Sequence, residues 1–556
     1  MAISGARIPF TVRIESTPLS RFPKAGHVTL VCIIALFLTA TGNIRFFQET
    51  EAVYPLAEQA AFLTSAAVVL TCVMALVISI FSFFLPIRVV GTVLILLAAA
   101  AGHFSDTMGI AIDTEMIRNA LGTDMDEAGD LITATFGIRF LLLGILPSAL
   151  LWLIPLRPVS LPRRQIKLLA SAAGSLVFAI AVMAPFSDTY ASYFREHKPL
   201  RYYSNPTYPI YSAGKFALTQ GRENTANHLV ETRLTDAAIP TEDEAHDLVI
   251  LVVGETARAD HFGLNGYARQ TTPKLAARND IVSFSDMRSC GTSTAISVPC
   301  LFSLDPRESF DIDSARWTEN TVDVLARAGV TILWRDNNSG PQGVADRVGY
   351  QMFTGPEVNP DCDVECRDEG MLSGLDDYLD KQNSDILVVL HQKGSHGPAY
   401  YKRYPDAYRQ FTPDCRDSDL GKCSPEEIVN AYDNTILYTD AFLDKVIGLL
   451  ARHQTRYEPT MLYVSDHGES LGEMGIFLHG MPYFMAPDVQ THVPFLVWAG
   501  MNSDIDRDKL FKIKDKPATH DDLSRILLQL FEIEIGDVRP EPVTGVMPMT
   551  ETNARE

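Results

Sequence analysis

Apolar positions are unevenly spread along the chain: residues 28–185 are dominated by long runs almost free of charge, and from Phe186 onward charged residues recur throughout. A helix needs about 20 consecutive apolar residues to cross the hydrocarbon core of a bilayer. Runs at 28–47, 60–85, 89–103, 138–156 and 167–185 meet or approach that length and predict five spanning helices, the third being the shortest. The first reads as an anchor and not as a cleaved leader, since no small-residue cleavage site ends it and further runs follow.

Beyond the spans the pattern changes. Short runs rich in Val, Ile and Leu at 247–254, 330–336, 385–391, 461–465 and 492–498 predict strands buried on both faces. Over 425–453, Ile428, Ala431, Ile436, Leu437, Ala441, Leu443, Ile447 and Leu450 recur at helical spacing. Strand and helix in alternation predict an α/β domain with a mostly parallel sheet covered by helices on both faces. A chain of 556 residues exceeds what one core supports, and the pattern divides it into a transmembrane domain at 1–185, a linker at 186–245 and a soluble domain at 246–556. The linker is rich in tyrosine, whose apolar ring and polar tip suit a membrane interface.

Charge orients the spans. Arg7, Arg13, Arg21 and Lys24 precede the first run, Arg88 separates the second and third, and Arg157, Arg163, Arg164 and Lys167 separate the fourth and fifth. All three basic segments are cytoplasmic if the N-terminus is inside and the soluble domain outside. Cys32 and Cys72 sit in spanning runs, while the other six cysteines fall into close pairs: Cys290 with Cys300, Cys362 with Cys366, and Cys415 with Cys423. Connectivity is open from sequence, local loops being simplest, and disulfides suit an exported domain. A zinc knuckle at 362–366 lacks a second Cys or His pair at finger spacing. With 47 Lys and Arg against 68 Asp and Glu, net charge −21, and no basic tract in the soluble part, nucleic acid is excluded as a partner.

Candidate chemistry clusters at predicted strand ends, where sheets of this class bind ligands. Glu255 follows the first strand past Gly254; Asp466 and His467 follow the fourth, with Gly468 permitting the turn. The hydroxyl-rich stretch from Ser289 to Cys300 turns at Gly291 into an apolar, helix-ready run, and Thr294 is the last hydroxyl before it. An ordinary helix cap is the bland reading of those hydroxyls; a nucleophile at the positive end of a helix is the chemical one. Glu255, Thr294, Asp466 and His467 together offer three oxygens and one nitrogen, a set that suits zinc, with manganese as rival, the threonine oxygen being both ligand and attacking group. Such a metal lowers a hydroxyl pKa and withdraws charge from a phosphoryl oxygen. Loops containing His391, His396 and His479 supply histidines for a second metal or a substrate phosphate.

The segments Gly254-Glu255-Thr256-Ala257-Arg258, Ser289-Cys290-Gly291-Thr292-Ser293-Thr294, Gly394-Ser395-His396-Gly397-Pro398, Ser465-Asp466-His467-Gly468-Glu469-Ser470 and Leu478-His479-Gly480 resemble those of the lipid A phosphoethanolamine transferases of the alkaline phosphatase superfamily. The resemblance implies Thr294 as nucleophile, Glu255, Asp466 and His467 as zinc ligands, and His396 and His479 at the phosphoethanolamine and second-metal region, with His391 a weaker candidate there. It further implies headgroup contacts from Asn119, Thr123 and Glu127, which fall on one face at helical spacing, and a phosphate contact from Asn338. Gln342 stands where the family usually has lysine. The implied reaction moves phosphoethanolamine from phosphatidylethanolamine to lipid A or the lipopolysaccharide core, in the Gram-negative inner membrane, by a monomer with its catalytic domain in the periplasm. A glycerolphosphate polymerase or phosphodiesterase of the same superfamily is the alternative; the three cysteine pairs and the Gly-Ser-His-Gly-Pro loop count against it. A sulfatase lacks support because no Cys/Ser-x-Pro-x-Arg element is present at the nucleophile.

Overall fold

The computed structural model describes residues 24–123, 125–223, 230–239 and 245–535, in two compact units: Met1–His103 with Phe136–Tyr208, and Phe104–Thr135 with Pro209–Glu556. Arg7, Arg13 and Arg21 lie outside the described residues.

The first unit is helical. Helices Leu56–Phe84, Ile87–Met108, Ala134–Leu153 and Leu161–Arg195 are long and apolar enough to cross a membrane. Leu169, Leu176, Val177, Phe178 and Ile180 on the last are exposed, as a lipid-facing surface requires. The expected first span is not one helix: His27–Thr41 and Ile44–Val53 meet at 63°, so among the described residues four helices are long and apolar enough to span, or five candidate spans result if the bent pair counts as one. Asn43 marks the break. Its Nδ2 donates to the Leu38 and Asn205 carbonyls at 2.9 and 2.7 Å, and the Asn205 N–H donates back to Asn43 Oδ1 at 2.8 Å. Asn205 Nδ2 also donates to the Gly42 carbonyl at 3.1 Å. Polar backbone at the bend is thereby hydrogen-bonded, a requirement wherever water is scarce.

The second unit is built on an eight-stranded sheet. Its strands are β1 (His246–Gly254), β2 (Ile281–Arg288), β3 (Thr331–Asp336), β4 (Gly349–Met352), β5 (Ile386–His391), β6 (Tyr457–Ser465), β7 (His492–Ala499) and β8 (Ala518–Thr519), in the order β8-β2-β7-β6-β1-β5-β3-β4. The sheet is mixed and mostly parallel, as the sequence predicts, with one reversal that it does not: β7 runs antiparallel to both β2 and β6, and the other five pairs are parallel. Between β6 and β7 the chain forms only short turns and a two-residue ribbon, Ser470–Leu471 with Phe477–Leu478. Without a crossover helix it returns beside β6 in the opposite direction. Strands β2, β4 and β8 go unpredicted because β2 alternates only loosely between buried and half-buried positions, β4 is an exposed edge and β8 has two residues.

Helices cover both faces. Leu248, Ile250 and Val252 of β1 pack in one cluster with Ile436, Phe442, Leu443 and Ile447 of the helix Pro425–Arg452. Val249, Leu251 and Val253 point the other way, into a cluster with Leu523, Ile526 and Leu527 of the helix Asp521–Leu530. Each such fully buried aliphatic side chain stabilises by about 1.5–3 kcal/mol. The long helix starts where its sequence dictates, at Ser424, which forms a capping box with Glu427 ahead of Pro425.

Strand register sets up the site. Val253 pairs with His391, Asp336 with His391, and Gly254 with Ser465. The chain therefore leaves β1, β3, β5 and β6 at one level, and the residues that follow converge.

Candidate active site

Backbone hydrogen bonds knit the strand exits together. The Asp466 N–H donates to the Gly254 carbonyl at 2.9 Å, the Gln392 N–H to Val253 at 3.0 Å, and the Ser395 N–H to Glu255 at 3.0 Å. Two glycines allow this crowding. A Cβ at Gly394, whose φ is +54°, would lie 2.7 Å from the Glu255 carbonyl oxygen, and one at Gly468 would lie 2.0 Å from that of Val489. Thr256 is buried with φ at +53°, an unfavourable conformation for a β-branched residue, beside Glu255.

Thr294 is the first residue of the helix Thr294–Leu301, which the Cys290–Cys300 disulfide closes. Ser293 occupies the cap position and its hydroxyl makes no capping bond. The Thr294 hydroxyl instead donates to Glu255 Oε2 at 3.1 Å and lies 3.4 Å from His467 Nε2. Asp466 is on the same spot, with Oδ2 3.2 Å from His467 Nε2. All four predicted residues, Glu255, Thr294, Asp466 and His467, are thus brought together and buried.

The donor set fits a cation. His467 Nδ1 lies 2.9 Å from the Gly468 carbonyl and must donate to it, so the Nε2 lone pair faces Asp466 Oδ2 and, at 3.5 Å, Glu255 Oε1. Both of those carboxylate oxygens are buried without a hydrogen bond. Burial, with each other's charge added for Glu255, pushes both carboxyl groups well above their usual range, while burial drops His467 to about 4. Three acceptors turned on one another are costly unless a positive ion sits among them. Glu255, Asp466 and His467 place ligand atoms within 4.8 Å of one another, and so do Glu255, His396 and His479.

The remaining predicted residues divide. Asn338 joins the site, its amide donating to Glu255 Oε2 at 2.7 Å and to the Gln392 carbonyl at 2.8 Å. His479 Nδ1 pairs with Glu469 Oε2 at 2.8 Å, and its ring lies 4.4 Å from that of His467 and 5.1 Å from that of His396. Glu127 meets His396 Nε2, and burial holds the His396 pKa well below its ordinary value. The single helical face expected over Asn119, Thr123 and Glu127 is broken, because one helix ends at Gly122 and the next begins at Met125. Thr123 Oγ1 donates locally, to the Asn119 carbonyl at 2.9 Å. Gln342 adopts a left-handed φ of +51° and donates to Ser339 Oγ at 3.1 Å. The pairs Cys362–Cys366 and Cys415–Cys423 are also joined, so all three local loops form.

Sequence reasoning missed the residues that hold this arrangement. Asp336 accepts from Trp334 Nε1 at 2.9 Å, from the Asn338 N–H at 2.8 Å and from His391 Nδ1 at 2.9 Å, which places both Asn338 and His391. Burial alone would lower the His391 pKa; Asp336, with Glu255 and Asp466 nearby, outweighs it and raises it. Asp368 accepts from Asn337 Nδ2 at 2.8 Å and from the Lys393 N–H at 2.8 Å, bracing two strand exits. His520 Nδ1 accepts from the Cys290 N–H at 3.1 Å and its Nε2 donates to the Ser465 carbonyl at 3.0 Å, so it spans the Cys290 loop and the Asp466 turn. Only a long-range partner distinguishes these residues from ordinary loop and strand-end polar groups.

A hydroxyl at a helix start, set among carboxylates and imidazoles at the exits of a mixed α/β sheet and joined to a helical membrane unit, places the protein among membrane-anchored alkaline phosphatase-like proteins. Residues 247–533 match the sulfatase family and residues 70–220 match the phosphoethanolamine transferase EptA/EptB family. Phosphatidylethanolamine transferase Mcr-2 of Escherichia coli is 42% identical over 522 residues, covering 92% of this chain and 96% of that one. Phosphoethanolamine transferase EptA of Salmonella typhimurium is 39% identical over 488 residues, covering 86% and 89%. The integral membrane lipooligosaccharide phosphoethanolamine transferase A of Neisseria meningitidis superposes with a TM-score of 0.89 at 33% identity, over 94% of this chain and 99% of that one. The chain belongs to the phosphoethanolamine transferase family. These relatives favour that reading over the glycerolphosphate polymerase.

Proposed function

We propose that this protein transfers phosphoethanolamine from phosphatidylethanolamine to a phosphate of lipid A or the lipopolysaccharide core, with Thr294 as the covalent carrier. The observation that carries the reading is the Thr294 hydroxyl at a helix start, 3.1 Å from Glu255 Oε2 and 3.4 Å from His467 Nε2. Thr294 Oγ attacks phosphorus, its bond to phosphorus forms, the bond to the diacylglycerol oxygen breaks, and the threonine proton ends on that oxygen. In the second step an acceptor phosphate oxygen attacks the same phosphorus, the bond to Thr294 breaks, and the proton of the acceptor phosphate monoester returns to Thr294 Oγ.

Glu255, Thr294, Asp466 and His467 would hold zinc, with manganese the rival, and His396 and His479 a second ion or the donor phosphate. Such an ion supplies positive charge that favours the ionised hydroxyl and offsets charge on a phosphoryl oxygen. Asn338 fixes Glu255, and Glu127 with His396 faces the headgroup amine, to which Asn119 and Thr123 add polar contacts. The helix dipole at Thr294 favours the developing negative charge.

The chain would work as a monomer in a Gram-negative inner membrane. Residues 1–185 form the membrane domain with its N-terminus inside, 186–245 lie along the interface, and 246–556 form the catalytic domain in the oxidising periplasm. Adding an amine to an outer-leaflet phosphate lowers anionic charge and weakens binding of cationic peptides such as polymyxin.

The test is the mass of the Thr294 peptide after incubating the detergent-solubilised chain with phosphatidylethanolamine and zinc, without acceptor. A phosphoethanolamine adduct with matching diacylglycerol release is expected. No adduct, or a phosphoglycerol adduct from phosphatidylglycerol instead, overturns the donor.

A further inference from the structure

Two cavities flank the loop that follows β3. Ser339 faces the larger, of about 700 Å³, with Glu127, Lys393 and Arg403 on its walls. Gln342 faces the smaller, of about 360 Å³, which Ala295, the neighbour of Thr294, also lines. One nucleophile that meets two substrates in turn gains from two approaches, and the residues on the walls separate them.

The smaller cavity holds planar hydrogen-bonding groups and an aromatic ring: Arg118, Asp313, Arg316, Trp317, Gln342 and Asp346. Its charges are already balanced, since Arg118 pairs with Asp313, and Arg316 Nη2 lies 3.3 Å from Asp346 Oδ2. A lone anion would have to break those pairs. A ring of hydroxyl groups would not, because guanidinium, carboxylate and amide edges donate to and accept from hydroxyls while remaining paired, and a half-buried indole offers a flat apolar face. The acceptor phosphate then belongs at Thr294 and the group that carries it belongs here.

We infer that this cavity is the acceptor subsite and that it takes the sugar bearing the acceptor phosphate, a phosphorylated hexosamine being the simplest form. The inference rests on the transferase reading and adds where, and by which chemistry, the acceptor is recognised. The phosphorus–oxygen exchange is the second step already written; the cavity only positions the attacking phosphate.

The experiment uses the full chain in detergent with phosphatidylethanolamine, and two acceptors: glucosamine 1-phosphate, and glycerol 3-phosphate, which has a phosphate and no ring. Trp317→Ala and Arg316→Ala are compared with wild type by the diacylglycerol burst without acceptor and by KM for each acceptor. Both variants are expected to keep the burst, to raise KM for glucosamine 1-phosphate about tenfold, as loss of one good contact does, and to leave KM for glycerol 3-phosphate unchanged. Trp317→Phe restores most of the loss. The Arg316 side chain is 68% exposed, so its variant folds even if removal of the indole does not. A normal burst with an unmoved KM, or equal losses with both acceptors, overturns the subsite. A wild-type chain with no burst overturns the transferase reading and this inference with it.

Discussion

Asn338 donates its side-chain amide to Glu255 Oε2 at 2.7 Å, on the same oxygen that accepts the Thr294 hydroxyl at 3.1 Å. Oε2 is thereby committed and Oε1 alone is left to face His467. Replacing the amide by a carboxylate, Asn338→Asp, puts like charge against Glu255 and removes the donor. Zinc affinity, measured by competition with a chelator, is expected to fall about 10- to 100-fold, the usual effect of losing an outer partner of a ligand. Unchanged affinity would show that Asn338 serves substrate alone.

Metal removal has a stability signature. Zinc added to metal-free protein is expected to raise Tm progressively, by the equivalent of about 4 kcal/mol at a thousandfold excess over Kd. Glu255→Gln removes one of the two carboxylates that burial opposes. Its metal-free Tm should exceed that of wild type, and its zinc response should vanish. A zinc response equal to wild type would place the ion elsewhere.

His520 ties Cys290 to Ser465 as a neutral ring, burial holding its pKa near 3. His520→Ala strands a buried N–H and a carbonyl, a loss of about 1–3 kcal/mol for each group left unsatisfied. His520→Gln can donate and accept in the same two directions. The alanine variant should lose kcat with little change in KM for phosphatidylethanolamine, and the glutamine variant should recover it. Equal defects in both would mean that the ring only fills space.

A pH effect on folding arises away from the site. Asp440 accepts the Lys274 and Leu275 N–H groups at 2.9 Å each, and burial raises its pKa to about 6. The folded chain therefore holds a proton that the unfolded chain releases near pH 4, so stability falls as pH rises from about 4 to about 6 and is flat above. The span corresponds to about 3 kcal/mol at most. Subtracting the Tm–pH curve of Asp440→Asn, which adds a pH-independent cost from the lost acceptor, should leave that slope. A flat difference curve would show that the carboxyl titrates alike in both states.

Much of the architecture is legible in local pattern. Runs as long as a bilayer is thick announce the spans, and valine-, isoleucine- and leucine-rich runs announce the central strands β1, β3, β5, β6 and β7, because burial on two faces excludes polar residues whatever the partners are. Glu255, Asp466 and His467 are each ordinary as single strand-end residues, and Thr294 as a helix start; it is their joint occurrence in the sequence that singles them out. Proximity of cysteines likewise anticipated the three disulfides.

Direction, bending and bracing were decided only in three dimensions. The reversal of β7, the Asn43–Asn205 pairing that bends the first span, the meeting of Glu127 with His396 and the bridge of His520 each join residues that no short-range period relates. A hydrophobic pattern specifies that a face is buried and not what covers it; a polar side chain specifies that it needs a partner and not which one. Those choices depend on which groups compaction leaves adjacent, and an unmade hydrogen bond in the interior is costly enough to enforce them.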